Sequence, residues 1–409
     1  MPAYDPARRA PVTGHRWESA LRGLRAEALD CVQTTVALLA DHVHGVGAHL
    51  ALGTDWRFPT PHDAAAASLR PPLSARLAQA ARLGLSAVPS GSQATSGDVC
   101  ERAKTGEPVF LVADAYVLPW VPYTGHRHMA HSFLLASRPG GHLVVDAYHN
   151  DTEWGPARPG AWALTDGELD AVLADGATVV TIEPTGKRPV PPAPAEVLAA
   201  NAAQAQDAAA HIDGYIAAVE RGLDDTEAVE NLVLDIWLLG RERLLHALWL
   251  GEHPAAARAR EHAAAWRRLA AHSYLAMRRA RTDGRFAGTV LAEMSRQLHA
   301  DADLARSLAP EPPPTPAGDV PPVGAVTVAV LDAVRHTLRL DEQTIRAAGT
   351  LRALPGFDSF RLVDIISRVE ERLGVRLPGD LSGDKLSDID GLCELFTAAA
   401  TERAGRSGR

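Results

Sequence analysis

Two kinds of hydrophobic pattern run along this chain. From Trp17 to Gly45 apolar residues return at spacings of three and four, through Val32, Val36, Leu39 and Val43, which predicts helix. Short β-rich runs follow: PVFLVADAYVL from Pro108, SFLLAS from Ser132, HLVVDA from His142 and ATVVTIE from Ala177. The RPGG between the second and third predicts a hairpin, and a four-residue loop sets Ser137 opposite His142. Beyond Ala195 the period is helical. Ile212, Tyr215, Ile216 and Val219 form one stripe, Val229, Leu232, Ile236 and Leu239 a second, and Trp266, Leu269 and Leu275 a third. Asp224–Thr226 and Pro254 read as helix starts. Val326, Val330, Val334 and Leu338, then Leu362, Ile365, Ile366, Val369 and Leu373, mark two further buried helix faces. No fixed-period repeat stands out, which argues against a solenoid.

Two proline-rich breaks organise these patterns: Lys187–Ala195 (KRPVPPAPA) and Ala309–Val323 (APEPPPTPAGDVPPV). They divide the chain into an α+β segment over 1–186, an all-α extension over 187–308, a linker over 309–323 and a small helical domain over 324–401. The last segment ends in a basic tail, ERAGRSGR, expected to fray. At roughly 3.1 Å per residue the fifteen linker residues span about 46 Å.

Composition narrows the class. The chain is 409 residues long, 46% hydrophobic and 22% charged, as globular domains are. Its formal net charge of −9 argues against a nucleic-acid partner. Three scattered cysteines, Cys31, Cys100 and Cys393, suit neither a disulfide scaffold nor a cysteine-based zinc site. No run has the length of a membrane span or a signal-peptide core, so the expectation is a reduced, cytoplasmic protein with no membrane partner.

Ser359 carries the first chemical signal. It lies in Gly356-Phe357-Asp358-Ser359-Phe360, directly before an amphipathic helix that either Asp358 or Ser359 would cap. The segment from Val326 to Ala399 resembles acyl and peptidyl carrier proteins, in which a G-x-D-S-[LF] sequence presents the serine for 4′-phosphopantetheine. The LGV-x-LP turn from Leu373 to Pro378 and the SDIDGLCELF stretch from Ser387 match as well. The resemblance implies a four-helix carrier domain, 4′-phosphopantetheine on Ser359, and a phosphopantetheinyl transferase and an acyl- or aminoacyl-loading enzyme as partners. The helix after Ser359 departs from the family's acidic habit, since Asp364, Glu370 and Glu371 alternate with Arg361, Arg368 and Arg372. That mixture suits a partner on the same chain.

Cys31 carries the second signal. It sits in DCVQTTVALLADHVHG at the start of a helical pattern, where a helix N-terminus would stabilise a thiolate. Extending the hairpin register sets His131 opposite Tyr148, with Asp146 a diagonal step away on the same sheet face. A carboxylate there would orient the imidazole so that its free nitrogen accepts the thiol proton. The competing expectations are a small buried cysteine beside a solvated hairpin, or a metal held by His126, His128 and His131, whose spacing matches no zinc pattern.

Cysteine on a helix start, histidine on a strand and carboxylate on the next strand is the papain-like arrangement. Residues 30–146 resemble the N-terminal domain of the butirosin-biosynthesis protein H acyltransferases. The stretches that carry this are DCVQTTVALLADHVHG, VADAYVLPWVPYTGHRHMAHSFLLA and HLVVDAYHN, with Asp114, Tyr116, Leu118, Pro119, Tyr123, His126 or His128, and His131 in pattern. The resemblance implies that an acyl or aminoacyl group passes from a carrier thioester to an amine or hydroxyl acceptor. Cys31 would be nucleophile, His131 base and then acid, and Asp146 the orienting group. The stretch before Cys31, LRAEALDC, lacks the glutamine that papain-like proteases use in the oxyanion hole, and Gln33 falls after it. Trp237, Trp249, Trp266 and His246 are candidates to line an acceptor pocket. A carrier-fused acyltransferase of specialised-metabolite assembly is the leading reading. A thioesterase or cyclase, and a non-catalytic docking platform, stand beside it.

Overall fold

The computed structural model describes residues 10–186, 190–283, 286, 288–309, 323–338, 340–348, 350–377 and 388–407. The chain forms two compact units that divide between Pro310 and Glu311. Most of the expected linker, residues 310–322, lies outside the described residues, as do Pro378 and Ser387.

The first unit is α+β. Its main sheet is antiparallel and six-stranded, built from β1 (Leu85–Ala94), β2 (Val109–Asp114), β3 (Ala130–Arg138), β4 (Gly141–Asp146), β7 (Gly160–Leu164) and β8 (Ala177–Pro184) in the order β1-β8-β2-β3-β4-β7. A small hairpin, β5 (Asn150–Thr152) with β6 (Gly155–Ala157), stands apart. The apolar runs of β2, β3 and β4 are nearly continuous because these strands are buried along most of their length. Ser137 does pair with His142, but Arg138 also pairs with Gly141. The loop is therefore Pro139-Gly140 alone, with Gly140 at φ 78°, where a turn needs glycine. A Cβ on Gly141 would lie 2.5 Å from the Leu164 carbonyl of the neighbouring strand.

Helices α1 (Glu18–Gly23), α2 (Cys31–His44), α4 (Leu73–Ala78), α5 (Ser96–Ala103) and α6 (Asp166–Val172) belong to the sheet's half of the unit, whereas α3 (Pro61–Ala66) packs on the helical extension. The stretch read as one helix from Trp17 is broken, because Asp30 caps a fresh start at Cys31. Val43, expected in the buried stripe, is 45% exposed in the last turn of α2. Helices α7 (Pro194–Glu220), α8 (Thr226–Leu250), α9 (Ala256–Asp283) and α10 (Gly288–Leu308) form the extension, α8 packing on α9 and α7 on α10. Ile212, Tyr215, Leu232, Ile236, Leu239, Trp266 and Leu269 are buried as the stripes predict, whereas Leu275 is exposed. Pro254 precedes α9 by two residues rather than opening it.

This extension is not a separate body. Leu245 of α8 belongs to the same core cluster as the sheet. Gly53 lets the 3-10 segment Ala48–Thr54 lie against α8, since a Cβ there would fall 2.7 Å from the Leu245 carbonyl.

The second unit is helical: α11 (Val323–Leu338), α12 (Glu342–Ala347), α13 (Ser359–Leu373) and α14 (Ile389–Ser407). Val326, Val330, Val334, Ile365, Val369, Leu392 and Phe396 are among its buried core. Helix α14 runs into the basic tail as far as Ser407. No helix among the described residues is long and apolar enough to cross a membrane.

Candidate functional site

Cys31 is the first residue of α2, and the sequence around it explains why. Asp30 is the N-cap, accepting from the Gln33 amide at 2.8 Å, while the Gln33 side chain accepts from the Asp30 amide at 3.1 Å. This reciprocal capping box fixes the start of the helix. The Cys31 carbonyl accepts from the hydroxyls of Thr34 (2.7 Å), Thr35 (3.1 Å) and Ser132 (2.7 Å), and Thr35 meets Ser132 at 2.9 Å. Helix α2 is thereby pinned to β3, one residue from His131. Cys31 is buried, with 7% of the residue exposed.

His131, Asp146 and Cys31 come together. Nε2 of His131 meets Oδ2 of Asp146 at 2.7 Å, and both side chains are buried. Asp146 is held in turn by Trp120 Nε1 at 3.0 Å and the Tyr148 amide at 2.9 Å. The opposite ring nitrogen, Nδ1, is buried with no hydrogen-bond partner, and the Cys31 thiol lies 3.9 Å from the Ala130 carbonyl, next to His131 in the chain. The register is the expected one as far as it runs, but the β3–β4 ladder stops at Leu134 and Val145, short of His131, which pairs on its other edge with Ala113 of β2. The strands part beyond that point, which makes room for the imidazole to reach Asp146. Tyr148 packs edge-on to the ring, with centroids 5.1 Å apart.

Electrostatics favour a charged pair. Burial alone pushes the Cys31 thiol up; the neighbouring His131 imidazole and the Arg76 charge outweigh it and hold the thiol below its ordinary value, with Asp30 opposing. Burial pushes His131 down, but the Asp146 charge and hydrogen bond, followed by Cys31, raise it to about 10. The imidazole is therefore cationic at neutral pH and faces a thiol biased toward thiolate.

Arg76 escaped the sequence reading. It reaches from α4 to form a close pair with Asp30, Nη2 to Oδ1 at 2.6 Å and Nε to Oδ2 at 3.1 Å. The same Nη2 lies 3.6 Å from the Cys31 sulfur. Forty-five residues separate Arg76 from Cys31, in a stretch with no periodic signal, so spacing could not have found it. Gln33 is committed elsewhere: its amide donates to Gln79 at 2.9 Å.

The extension supports the site from behind. Arg241 of α8 donates to the carbonyls of Ala26 (2.8 Å), Leu29 (2.6 Å) and His149 (2.5 Å), tying the approach to Cys31 to the exit from Asp146. Trp237 lies under the Arg241 guanidinium and donates to Asn150, which donates to Tyr123. Of the aromatic candidates for a pocket, Trp237 is drawn toward this site. Trp266 and His246 are buried in the helical core: Trp266 donates to Asp301, His246 reaches the Gly53 carbonyl, and Trp249 packs beside His246. The three neighbouring histidines have separate partners, His126 stacking on Trp154 and His128 meeting Asp114 at 2.5 Å. Among the described residues no three His, Cys, Asp or Glu side chains gather as a metal would need.

In the second unit Asp358, not Ser359, is the N-cap of α13, accepting from the Arg361 amide at 2.8 Å. Ser359 is the first helical residue, reached through a turn in which Gly356 has φ 74°. The Asp358 side chain thus caps the helix start. Residues 328–395 match the phosphopantetheine attachment site family. A carrier domain of this kind holds 4′-phosphopantetheine covalently on a serine, and its presence links the chain to phosphopantetheine-dependent biosynthesis. No curated protein matches the chain. On the carrier domain's α13, Arg372 is paired with Asp332 of α11 at 2.6 Å and Arg361 lies 3.9 Å from Asp364. Part of the basic charge on that helix is therefore neutralised within the domain.

Proposed function

We propose that this chain is a carrier-fused acyltransferase with a papain-like Cys31–His131–Asp146 centre and Ser359 as the attachment serine. The phosphopantetheine arm supplies a thiol on which an acyl or aminoacyl group arrives as a thioester. Cys31 attacks the thioester carbonyl, and His131, already protonated, gives its proton to the departing thiolate. An amine or hydroxyl acceptor then attacks the acyl-enzyme, with the now neutral His131 taking its proton. Asp146 keeps the ring oriented through Nε2 and stabilises its charge. Exchange of one thioester for another is nearly balanced, and amide or ester formation drives the second half forward.

The observation that supports this reading best is that the buried Cys31 is tied through its carbonyl to Ser132, the neighbour of a buried His131 whose Nε2 is held by the Asp146 carboxylate at 2.7 Å. Tethering in cis through the proline-rich stretch 309–323 would bring the carrier to an effective concentration of about millimolar. The test is to load the holo-protein with an acyl group and follow its release with and without candidate amines. Acceptor-dependent release supports transfer. Equal release without acceptor turns the reading to a thioesterase or cyclase, and a Cys31→Ala variant at the parental rate turns it to a docking platform.

A further inference from the structure

The acyltransferase reading leaves one requirement unmet: LRAEALDC has no glutamine to donate to a tetrahedral oxyanion, its Arg25 is exposed, and Gln33 is occupied by the cap and by Gln79. We propose that Arg76 is a catalytic residue that holds the Cys31 thiolate before attack and donates to the oxyanion that forms on the carbon bonded to that sulfur. The proposal rests on the acyltransferase reading and identifies a group that it lacks.

Three features of the geometry carry it. Arg76 Nη2 stands 3.6 Å from the Cys31 sulfur, so an oxygen on a carbon newly bonded to sulfur comes within its reach. The guanidinium is fixed in place by the Asp30 carboxylate at 2.6 and 3.1 Å, and Asp30 is itself the cap that sets the position of Cys31. Donor and nucleophile are therefore registered to one residue and need little reorganisation as charge develops. Arg76 and His131 are different in kind: the arginine cannot give up its proton, whereas the imidazole can. This divides the labour between a permanent cation for the oxyanion and a proton carrier for the leaving group.

The step balances. Sulfur of Cys31 forms the new C–S bond as the carbonyl π pair moves to oxygen, beside Arg76. Collapse returns that pair, breaks the C–S bond of the incoming thioester, and the departing thiolate takes the proton from His131. No oxidant, reductant or metal enters.

The experiment uses the full chain with two readouts: the pH profile of Cys31 alkylation by iodoacetamide, and single-turnover acylation of Cys31 by an acyl N-acetylcysteamine thioester. In Arg76→Gln the alkylation midpoint moves up by about one pH unit. Acylation measured above both midpoints, where the thiolate is fully formed, still falls by about 10²–10³. Arg76→Lys keeps the charge and the Asp30 pair, restores the alkylation midpoint and recovers acylation only in part, because its ammonium lacks the planar fork. Asp30→Asn retains a capping side chain but removes the opposing charge, and moves the midpoint down. Equal high-pH acylation in Arg76→Gln and the unsubstituted protein overturns the proposal while leaving the acyltransferase reading intact. Failure of the unsubstituted protein to form any acyl-Cys31 overturns both.

Discussion

Asp146 holds Nε2 of His131 at 2.7 Å, and that bond decides which ring nitrogen is left for Cys31. The carboxylate is fixed by the indole of Trp120 and the amide of Tyr148, so the imidazole is oriented by a rigid group rather than by solvent. The thiol on α2 and the histidine on β3 meet only because Ser132 and Thr35 lock helix to strand one step away.

Asp146→Asn should lower the rate of Cys31 alkylation at pH 7 by about tenfold or more. The carboxylate is the main cause of a histidine pKa near 10; without it the ring loses its proton at neutral pH and the thiolate loses its counter-charge. The sign for stability follows. The folded value near 10 exceeds the ordinary 6.5, so the stabilisation is complete below about pH 6.5 and is lost as pH rises through about 10. Thermal unfolding from pH 6.5 to 10 should show that decline in the parent and a flatter profile in the variant.

Asp235 tests the helical extension. It is buried, accepts from the Leu69 amide at 2.7 Å and Tyr215 hydroxyl at 3.1 Å, and leaves Oδ1 without a hydrogen-bond partner. Burial raises it from 3.8 to about 6, which penalises the folded state as the group ionises. Its stabilising contribution is complete below about pH 3.8 and is lost as pH rises through about 6. Asp235→Asn should raise stability at pH 7 by about 1–2 kcal/mol, the relief of charge burial less the cost of an unmet amide. Urea unfolding at pH 5 and pH 7 checks this: the gain must be larger at pH 7.

Arg241→Met should weaken the fold by about 2–4 kcal/mol, because it leaves three backbone carbonyls without their donor, and should slow Cys31 alkylation in the folded fraction. Chemical denaturation with the alkylation rate measured in the native baseline separates the two effects.

Much of this was legible in the residues, and the failures have physical causes. The buried strands β2, β3, β4 and β8 announced themselves as apolar runs, and Ser137 met His142 as the turn chemistry implied. Strand β1 did not, because it is an edge strand and tolerates Pro89 and a register shift that hides its period. Cys31, His131 and Asp146 could be proposed from helix start and strand register, although the register carrying the last step dissolves where the strands part. Arg76, Trp120 and Arg241 were invisible, since each reaches its partner through tertiary packing that no local spacing encodes. The extension's attachment to the sheet was hidden for the same reason.

Ser359→Ala should abolish the mass gain seen when the protein is treated with coenzyme A and a phosphopantetheinyl transferase. Its stability should change by less than about 0.5 kcal/mol, because Asp358 supplies the cap of α13. Intact-mass spectrometry and thermal unfolding on the same samples read both.

The most direct measurement is to load the holo-protein with an isotopically labelled acyl group, quench during turnover, and map the label by peptide mass spectrometry. The account predicts label on Cys31 that appears after loading of Ser359 and before product, and that is lost with product formation in Cys31→Ala. Product formed at the parental rate in that variant, or turnover with Cys31 never labelled, would contradict it.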